Sequence, residues 1–281
     1  MDNLNILVAV CTHNRKKYLL EAVKSFKVIK QPKFKLAVID SSDEGLSKKE
    51  QGGIDIYIYC RGKKALSIKR NLAIKKIKSD IVVFTDDDCI ATASWLAELT
   101  RFFADKGIAC VTGRTIPFKG YEGSEYEKKF SFDKLGKRGR IIKKHLGLQN
   151  LWRFGHGNNM AFRTNILEAV GLFDINLGVG SRGLRAEDVD MFYRVYKKGY
   201  SIIYNPNAVI LHKHLVKREG MEKAAYENGY ASKLVLFKNL DLNTRILYFG
   251  GIIKLSLKLL LSKGFERRVN LSVLRGWLGL K

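Results

Sequence analysis

The sequence contains few prolines, few cysteines and no long uncharged apolar run. Three prolines among 281 residues, together with 46% apolar residues, argue against a disordered chain and predict an ordered globule. The four cysteines lie far apart and form no C-x-x-C pair, so we expect reduced core residues of an intracellular protein. No stretch reaches the roughly 18 uncharged apolar residues of a membrane-spanning helix. The first residues lack the basic and apolar regions of a secretory signal peptide, so none is expected.

Acidic residues are also scarce. The chain has 27 Asp and Glu against 51 Lys and Arg, which gives a formal net charge of +24. Such an excess predicts attraction to polyanions, namely nucleic acid, anionic lipid or phosphorylated substrates, without choosing among them. A solvated lysine-rich surface would explain the same charge. A chain of this length can bury one sizeable core, or one core plus an appendage.

Segments of strand and helix character alternate along the chain. Short apolar or alternating runs predict strands at residues 6–10, 36–39, 54–59 and 81–85. Apolar residues at helical spacing predict helices at residues 18–29 and 66–77. Further on, the patterns predict helices at residues 165–170 and 187–198 and short strands at residues 201–204 and 208–211. Strands separated by helices form βαβ units, so we expect an α/β fold with a mostly parallel sheet.

An acidic triplet, Asp86, Asp87 and Asp88, directly follows the predicted strand at residues 81–85. Three adjacent carboxylates repel one another, so a compensating charge is needed, most simply a bound cation. Alternation along an extended backbone would direct Asp86 and Asp88 to one side and Asp87 to the other. Two carboxylates suit a divalent cation that also holds a diphosphate. Open α/β sheets place their ligands at the carboxyl ends of parallel strands, which is where the triplet lies.

Two basic segments follow the strand and helix pattern. Residues 119–149 are polar, basic and rich in glycine, which predicts a mobile insertion that either binds an acceptor phosphate or is a solvated loop. Residues 245–281 carry eight Lys and Arg against one acid. Within them, residues 246–261 are strongly apolar but are interrupted by Lys254 and Lys258, which share one helix face, while Ile252, Leu255 and Leu259 share another. Such a helix either lies in a membrane interface or packs on the main domain with its lysines outward.

Several motifs occur in an order that resembles a known family over about residues 5–215. They are VAVCTHNR at 8–15, VIDSS at 38–42, KRN at 69–71, FTDDD at 84–88, GNNMAFR at 157–163, EDVD at 187–190, and PNA at 206–208 leading to His212. In this order they resemble the inverting nucleotide-sugar glycosyltransferases of family 2, which have the A-type glycosyltransferase fold. The resemblance implies a Rossmann-like, mostly parallel sheet flanked by helices, here followed by a C-terminal amphipathic helical tail.

The resemblance also implies an organisation and an activity. Residues 1–115 would be the nucleotide-sugar-binding half, residues 116–215 the acceptor-binding half of the same domain, and residues 216–281 the basic helical tail. The enzyme would transfer a sugar, with inversion, from a nucleotide-diphosphate donor (a UDP-sugar being favoured) to a saccharide or lipid-linked acceptor in cell-envelope polysaccharide biosynthesis. It would require Mn²⁺ or Mg²⁺. We expect a cytoplasmic protein that lies peripherally on the anionic inner face of the cell membrane.

The same resemblance assigns residues to the donor and the metal. The donor nucleotide would contact Thr12, Asn14, Arg15, Asp40, Arg70, Asp86 and Asp87. Asp40 would accept a hydrogen bond from the uracil imide, although an Asp at a strand end is also favoured as a turn cap. Arg70 would clamp two phosphates, unless it is an exposed helical arginine. The metal would be held by Asp86, Asp88 and His212, with His214 as the alternative histidine, and an imidazole shifts preference from Mg²⁺ toward Mn²⁺.

The resemblance assigns the chemistry to the second acidic centre. Asp188 would be the general base, and Glu187 and Asn159 would bind the acceptor. The glycine-rich segment 178–183 would give its loop the freedom to close over the sugar. Acids at a helix start are also favoured by capping and by the helix dipole, which is the ordinary explanation for Glu187 and Asp188.

Two other functions compete with this one. A sugar-1-phosphate nucleotidyltransferase would carry a glycine-rich loop near its first strand, where this chain has residues 11–15 without a glycine. A basic nucleic-acid-binding protein would explain the charge, but no helix-turn-helix, zinc-finger or RNA-binding signature is present, so no nucleic acid is expected as partner.

Overall fold

A mixed β-sheet of nine strands organises the residues that the computed structural model describes, which are 4–119, 140–142, 155–213, 218–238 and 242–280. The strands are β1 (Ile6–Thr12), β2 (Lys35–Asp40), β3 (Ile56–Tyr59), β4 (Ile81–Asp86), β5 (Cys89–Ala91), β6 (Ile108–Pro117), β7 (Arg140–Ile142), β8 (Asn159–Arg163) and β9 (Ser201–His212). The α-helices are α1 (Lys16–Ser25), α2 (Leu66–Lys76), α3 (Trp95–Thr100), α4 (Thr164–Ala169), α5 (Glu187–Lys197), α6 (Arg218–Lys238), α7 (Leu242–Leu261) and α8 (Gly264–Leu278). Short 3₁₀ turns follow α1 and α3, at Phe26–Val28 and Arg101–Ala104.

The sheet confirms the predicted α/β fold. Strands β3, β2, β1 and β4 lie side by side and are parallel, as expected for the first half. Beyond β4 the sheet becomes mixed, because β8 lies antiparallel between β4 and β6, and β5 and β7 lie antiparallel to β9. Strands β6 and β9 are parallel. Alternate residues of β1 belong to two different apolar clusters, Leu7 and Ala9 to one and Val8 and Val10 to the other, so helices cover both faces.

One pair of predicted strands proved to be a single strand. The residues expected to form two strands, 201–204 and 208–211, are both part of β9. The register with β6 jumps between the pairs Gly113–Asn205 and Arg114–Val209, so residues 206–208 form a bulge. Pro206 has no N–H to donate to the ladder, which explains the bulge at this point. The sequence therefore predicted correctly that the pairing is disturbed near Pro206, but the prediction that the strand ends there was wrong.

The C-terminal helices α6, α7 and α8 pack against the sheet domain and against one another. Ala231 and Val235 of α6 are buried in the core that contains α5. Helices α6 and α8 cross closely at Gly229 and Gly276, because a Cβ on Gly276 would lie only 2.2 Å from the Tyr226 carbonyl oxygen. Among the described helices, none is both long and apolar enough to cross a bilayer.

The predicted insertion at residues 119–149 is described only at Lys119 and in β7. Strand β7 extends the sheet by pairing with β9. The rest of the insertion, and with it the predicted mobility, lies outside the described residues, as does His214.

Candidate active site

The loops that follow β1 and β2 are tied together at the carboxyl edge of the sheet. The Asn14 backbone N–H donates to Ser42 Oγ at 2.8 Å, and the Asn14 side chain exchanges two hydrogen bonds with Asp43 at 2.7 and 2.9 Å. Asn14 has a φ of 55°, a left-handed conformation that Asn tolerates better than most residues. Its side chain is therefore used to hold the two loops in one geometry.

Asp40 lies at the end of β2 and is 1% exposed. Its Oδ1 accepts from the Ser42 backbone N–H at 2.8 Å, and its Oδ2 accepts from the Tyr57 hydroxyl at 2.6 Å. Burial, and then the neighbouring Asp40, raise the pKa of Tyr57 well above its ordinary value, so this hydroxyl remains a donor. The turn-capping interpretation of Asp40 is thus realised, and a contact to a nucleobase stays a prediction.

Arg15 compensates two carboxylates of the acidic triplet. Its Nη1 lies 2.9 Å from Asp87 Oδ1, and its Nη2 lies 2.6 Å from Asp88 Oδ2. Asp87 also accepts from the Thr12 hydroxyl at 2.7 Å. The Asp87 and Asp88 side chains are 4% and 2% exposed, whereas the Asp86 side chain is 34% exposed. A protein cation therefore provides part of the compensating charge that the sequence attributed to a metal ion.

His212 reaches the triplet from the opposite end of the chain. It pairs with Cys89 where β9 meets β5, and its Nε2 lies 3.2 Å from Asp88 Oδ1. Ligand atoms of Asp88, Cys89 and His212 all lie within 4.8 Å of one another. A carboxylate and an imidazole are suitable donors for a cation such as Mn²⁺. Thiolates favour softer metals than Mn²⁺ and Mg²⁺, so Asp88 and His212 are the better ligands for these two cations.

The three acids of the triplet titrate differently. Burial, and then the charge of Asp88, raise the pKa of Asp86, and burial raises the pKa of Asp87 to about 7. For Asp88, burial opposes ionisation, but the hydrogen bond and charge of His212 and the guanidinium of Arg15 outweigh it and hold the pKa below its ordinary value. Asp88 is therefore ionised at neutral pH and suited to bind a cation.

Arg70 on α2 connects the triplet to the second acidic centre. Its side chain is 2% exposed, with Nη1 at 2.7 Å from Glu187 Oε1 and Nη2 at 3.9 Å from Asp86 Oδ1. Nη2 also donates to the Gly157 carbonyl at 2.9 Å, and the guanidinium lies over the Phe84 ring at 5.6 Å. The alternative of an exposed helical arginine is wrong. The guanidinium binds protein groups in this structure, and the phosphate contact stays a prediction.

Glu187 and Asp188 begin α5, directly after a loop whose last residue has a left-handed backbone conformation. The Gly157 N–H donates to Asp188 Oδ2 at 2.7 Å, and a side chain at Gly157 would collide with Arg70 and Asp188. Burial raises the pKa of both acids above the ordinary value. Ala186, which precedes them, has a φ of 70°, a strained conformation of a kind that clusters at functional sites. Hydrogen bonds from Arg70 and Gly157 thus hold the two acids, which directly follow a strained backbone position.

Asn159 does not lie at the site surface. It is fully buried, its Oδ1 accepts from Trp95 Nε1 at 2.9 Å, and its Nδ2 donates to the carbonyls of Arg114 and Ala208, both at 3.0 Å. These contacts hold the bulge of β9 against β6. The expected acceptor contact of Asn159 has no support in this placement, because every polar atom of its amide already has a partner in the core.

Lys69 entered the sequence analysis only as part of the KRN motif and was given no role, yet its side chain joins the loops that follow β1 and β2. It is 4% exposed, and its Nζ donates to the Thr12 carbonyl at 3.0 Å and to Ser41 Oγ at 3.2 Å. A signal was available, because Lys69 and Arg70 lie at helical spacing from Leu66 and Ala73 and so share the apolar face of α2.

Residues 7–171 match the family model described as glycosyl transferase family 2. Among curated proteins, the chain is 25% identical over 207 residues to the pre-mycofactocin glycosyltransferase of Mycobacterium tuberculosis, a match that covers 73% of this chain and 42% of that protein. It is 24% identical over 247 residues to the glucosyl-dolichyl phosphate glucuronosyltransferase of Haloferax volcanii, covering 83% of this chain and 77% of that protein. The chain therefore spans less than half the length of the mycobacterial relative.

Solved structures show the same fold at low sequence identity. The mannosyltransferase PcManGT from Pyrobaculum calidifontis, in complex with GDP-Man and Mn²⁺, superposes with a TM-score of 0.66 at 14% identity, covering 98% of this chain and 86% of that chain. TarS of S. aureus superposes with a TM-score of 0.60 at 17% identity, covering 85% of this chain and 40% of that chain.

Proposed function

Because this chain belongs to glycosyltransferase family 2, we propose that it transfers a sugar, with inversion, from a nucleotide-diphosphate donor to a saccharide or lipid-linked acceptor. One observation carries the proposal. Arg70 lies near Asp86 of the acidic triplet, binds Glu187 and donates to the Gly157 carbonyl. The Gly157 N–H in turn donates to Asp188, so a candidate donor site and a candidate base share one network. The nucleotidyltransferase and nucleic-acid alternatives explain neither this network nor the family match.

Asp188 is the general base of the proposed reaction. Its Oδ2 is oriented by the Gly157 N–H, and its raised pKa makes it a better proton acceptor than a solvated aspartate. Asp188 takes the proton of the acceptor hydroxyl as that oxygen attacks the anomeric carbon and the bond to the diphosphate breaks. A single attack from the face opposite the leaving group inverts the configuration. Glu187, fixed by Arg70, forms the adjoining wall of the acceptor site.

The donor site lies at the ends of β1, β2 and β4. Thr12, Asn14, Arg15 and Asp40 line it from the first two loops, and Asp88 with His212 would hold Mn²⁺ or Mg²⁺, with Asp86 nearby. When bound, the cation would offset the negative charge that develops on the leaving diphosphate. Among solved structures of the same fold, PcManGT is in complex with GDP-Man and Mn²⁺ and TarS with UDP-GlcNAc, which supports a nucleotide-sugar donor. We favour a UDP-sugar.

A donor screen tests this proposal. UDP-, GDP- and dTDP-sugars are each added with Mn²⁺ or with EDTA, and thermal unfolding and slow donor hydrolysis are measured. We expect one nucleotide class to stabilise the protein only with metal, by about 2.7 kcal/mol at 100 times Kd. Asp88→Ala should abolish that stabilisation, because it removes an ionised candidate ligand.

Glu168→Ala is the matched control for Asp88→Ala. Glu168 is an exposed acid on α4, a helix that follows β8 at the sheet edge opposite the triplet. This variant should bind the donor normally. A protein that no nucleotide stabilises with either metal, or an Asp88→Ala variant that binds like the wild type, would remove the basis of the proposal.

Helix α7 supports a membrane-facing role for the tail. One face of the helix exposes Ile246, Phe249, Ile253, Leu257 and Leu260, each at least 57% exposed. Ile252, Leu255 and Leu259, the apolar face considered from sequence, are partly buried instead. Exposed Lys254 and Lys258 flank the apolar stripe. We propose that this face lies in the interface of an anionic membrane, on its cytoplasmic side, near acceptors of the cell envelope.

Vesicle sedimentation tests the membrane proposal. The double variant Ile253→Asp, Leu257→Asp should lose binding to phosphatidylglycerol vesicles by about 100-fold or more, since each buried leucine-sized side chain contributes about 1.5–3 kcal/mol. Val28→Asp, which alters an exposed apolar residue of the sheet domain, should bind normally. Undiminished binding of the double variant would show that α7 does not contact lipid.

A further inference from the structure

A cavity of about 660 Å³ lies between the loop that precedes α5 and the tail helices α6 and α8. Its walls include Arg182 and Leu184 from the loop, Lys223, Tyr226 and Tyr230 from α6, and Arg275 from α8. The volume is within the range of small-ligand sites, about 300–1,000 Å³. No part of the donor site described above contributes to these walls, so the cavity is separate from it.

The loop brings the cavity close to the candidate base. A Cβ on Gly178 would lie 3.1 Å from Glu187 Oε2, so the inner side of the loop touches the acceptor-facing acid. The outer side, through Arg182 and Leu184, lines the cavity. Arg185 ties the loop to α6 through its ion pair with Glu227 at 2.9 Å. A molecule in the cavity would therefore be separated from Glu187 by a single loop.

The charge of the cavity favours an anion. Three of its wall residues are cations, namely Arg182, Lys223 and Arg275, and its one acid, Glu222, is bound to Arg268 at 2.9 Å. Within the described parts of the chain, neither Arg182 nor Lys223 forms an ion pair. Guanidinium and ammonium groups without partners are well suited to phosphate oxygens, because such hydrogen bonds are charge-assisted.

The aromatic wall suits a sugar. Tyr226 and Tyr230 lie one turn apart on α6, and their rings are stacked with centroids 6.2 Å apart and an angle of 9° between planes. Both rings are half-buried. They offer a rigid apolar surface with hydroxyl groups at its edge, which matches the mixed apolar and polar faces of a saccharide.

We infer that this cavity binds a phosphate-bearing saccharide, with its phosphate at Arg182 and Lys223 and its sugar at Tyr226. The ligand would lie behind the loop and not beside Asp188, so this site is separate from the position of the acceptor hydroxyl in the proposed reaction.

Calorimetric titration with N-acetylglucosamine 1-phosphate in EDTA tests the inference without engaging a metal-dependent donor site. We expect binding to the wild-type protein in the millimolar range or tighter, and a loss of about tenfold or more in Arg182→Ala, Lys223→Ala, as expected for two charge-assisted contacts. The control Lys48→Ala, Lys49→Ala removes two exposed charges from the sheet domain and should bind normally. Tyr226→Ala should weaken the sugar phosphate more than inorganic phosphate.

Three outcomes would overturn the inference. The first is no binding at ligand concentrations up to about 10 mM. The second is equal binding by the double variant and the wild type. The third is equal binding of inorganic phosphate or glycerol 3-phosphate, which would indicate a plain anion site or a lipid-headgroup site. The donor screen with Mn²⁺ is run on the same variants. Nucleotide stabilisation that persists while the titration fails would reject the cavity alone, whereas loss of nucleotide stabilisation in the wild type would reject the proposed function.

Discussion

Asp188→Asn is expected to lower the rate of sugar transfer by about 10²–10⁴-fold, the usual contribution of a placed general base. The amide keeps the shape of the carboxylate, and its oxygen can accept one of the two hydrogen bonds that Asp188 receives from the backbone N–H groups of Gly157 and Val189. It cannot take up the proton of the acceptor hydroxyl. Donor binding, measured as metal-dependent thermal stabilisation, should therefore be unchanged while product formation is lost.

The pH dependence of the transfer rate gives a second test of Asp188 as the general base. Burial raises the pKa of its carboxyl, and a base is active only when ionised. As pH falls, the wild-type rate should therefore decline at a higher pH than the value of about 3.9 for a solvated aspartate. The variant should lack the contribution of Asp188 to this limb, while the raised pKa values of Asp86 and Asp87 still shape the profile. Full turnover by Asp188→Asn would exclude Asp188 as the base.

Arg70→Met is expected to lower the free energy of unfolding by about 3–5 kcal/mol, the usual cost of removing one partner of a buried ion pair. The change leaves Glu187, which is 6% exposed, without the guanidinium that binds its Oε1 at 2.7 Å. It also removes the nearest cation from Asp86. Urea denaturation of the purified variant measures the loss.

A double variant separates the effect of an unpaired buried charge from the effect of the lost guanidinium contacts. In Arg70→Met combined with Glu187→Gln, no unpaired carboxylate is left at residue 187, so part of the lost free energy of unfolding should return. Arg101→Met is the control, because Arg101 is half-exposed and its pair with Glu98 should contribute only about 0–1 kcal/mol. If Arg70→Met unfolds like the wild type and loses only nucleotide binding, the original expectation of a phosphate contact is the better account of Arg70.

The parallel half of the sheet could be predicted from sequence because its strands are covered on both sides. Such strands are continuous apolar runs, as at residues 6–10 and 81–85, and they end in polar residues at a common edge. Strand β8 was missed because Gly157 and the two asparagines before its apolar residues resemble a loop. Its only signal, the short run from Met160 to Phe162, is too brief to distinguish strand from helix.

The sequence indicated which types of residue lie at the candidate site, but it did not indicate which of their side chains contact one another. Spacing placed Asp86 and Asp88 together, yet it could not show that Arg15, from the loop after β1, would reach Asp88. That contact depends on the parallel pairing of β1 with β4, which is a property of the folded sheet. The acceptor contact expected of Asn159 stays a prediction, and in this structure its amide instead holds the bulge of the neighbouring strand β9.

The position of Lys238 has a consequence for how the chain can be divided. This last described residue of α6 lies 3.1 Å from Asp190, a fully buried carboxylate two residues after the proposed base. A shortened protein ending near residue 216 would leave that charge with Arg194 alone and would uncover the core around Ala231 and Val235. We therefore regard the C-terminal helices as part of the same folding unit as the candidate active site. Surface substitutions, rather than truncation, are the way to separate the proposed membrane binding from the proposed sugar transfer.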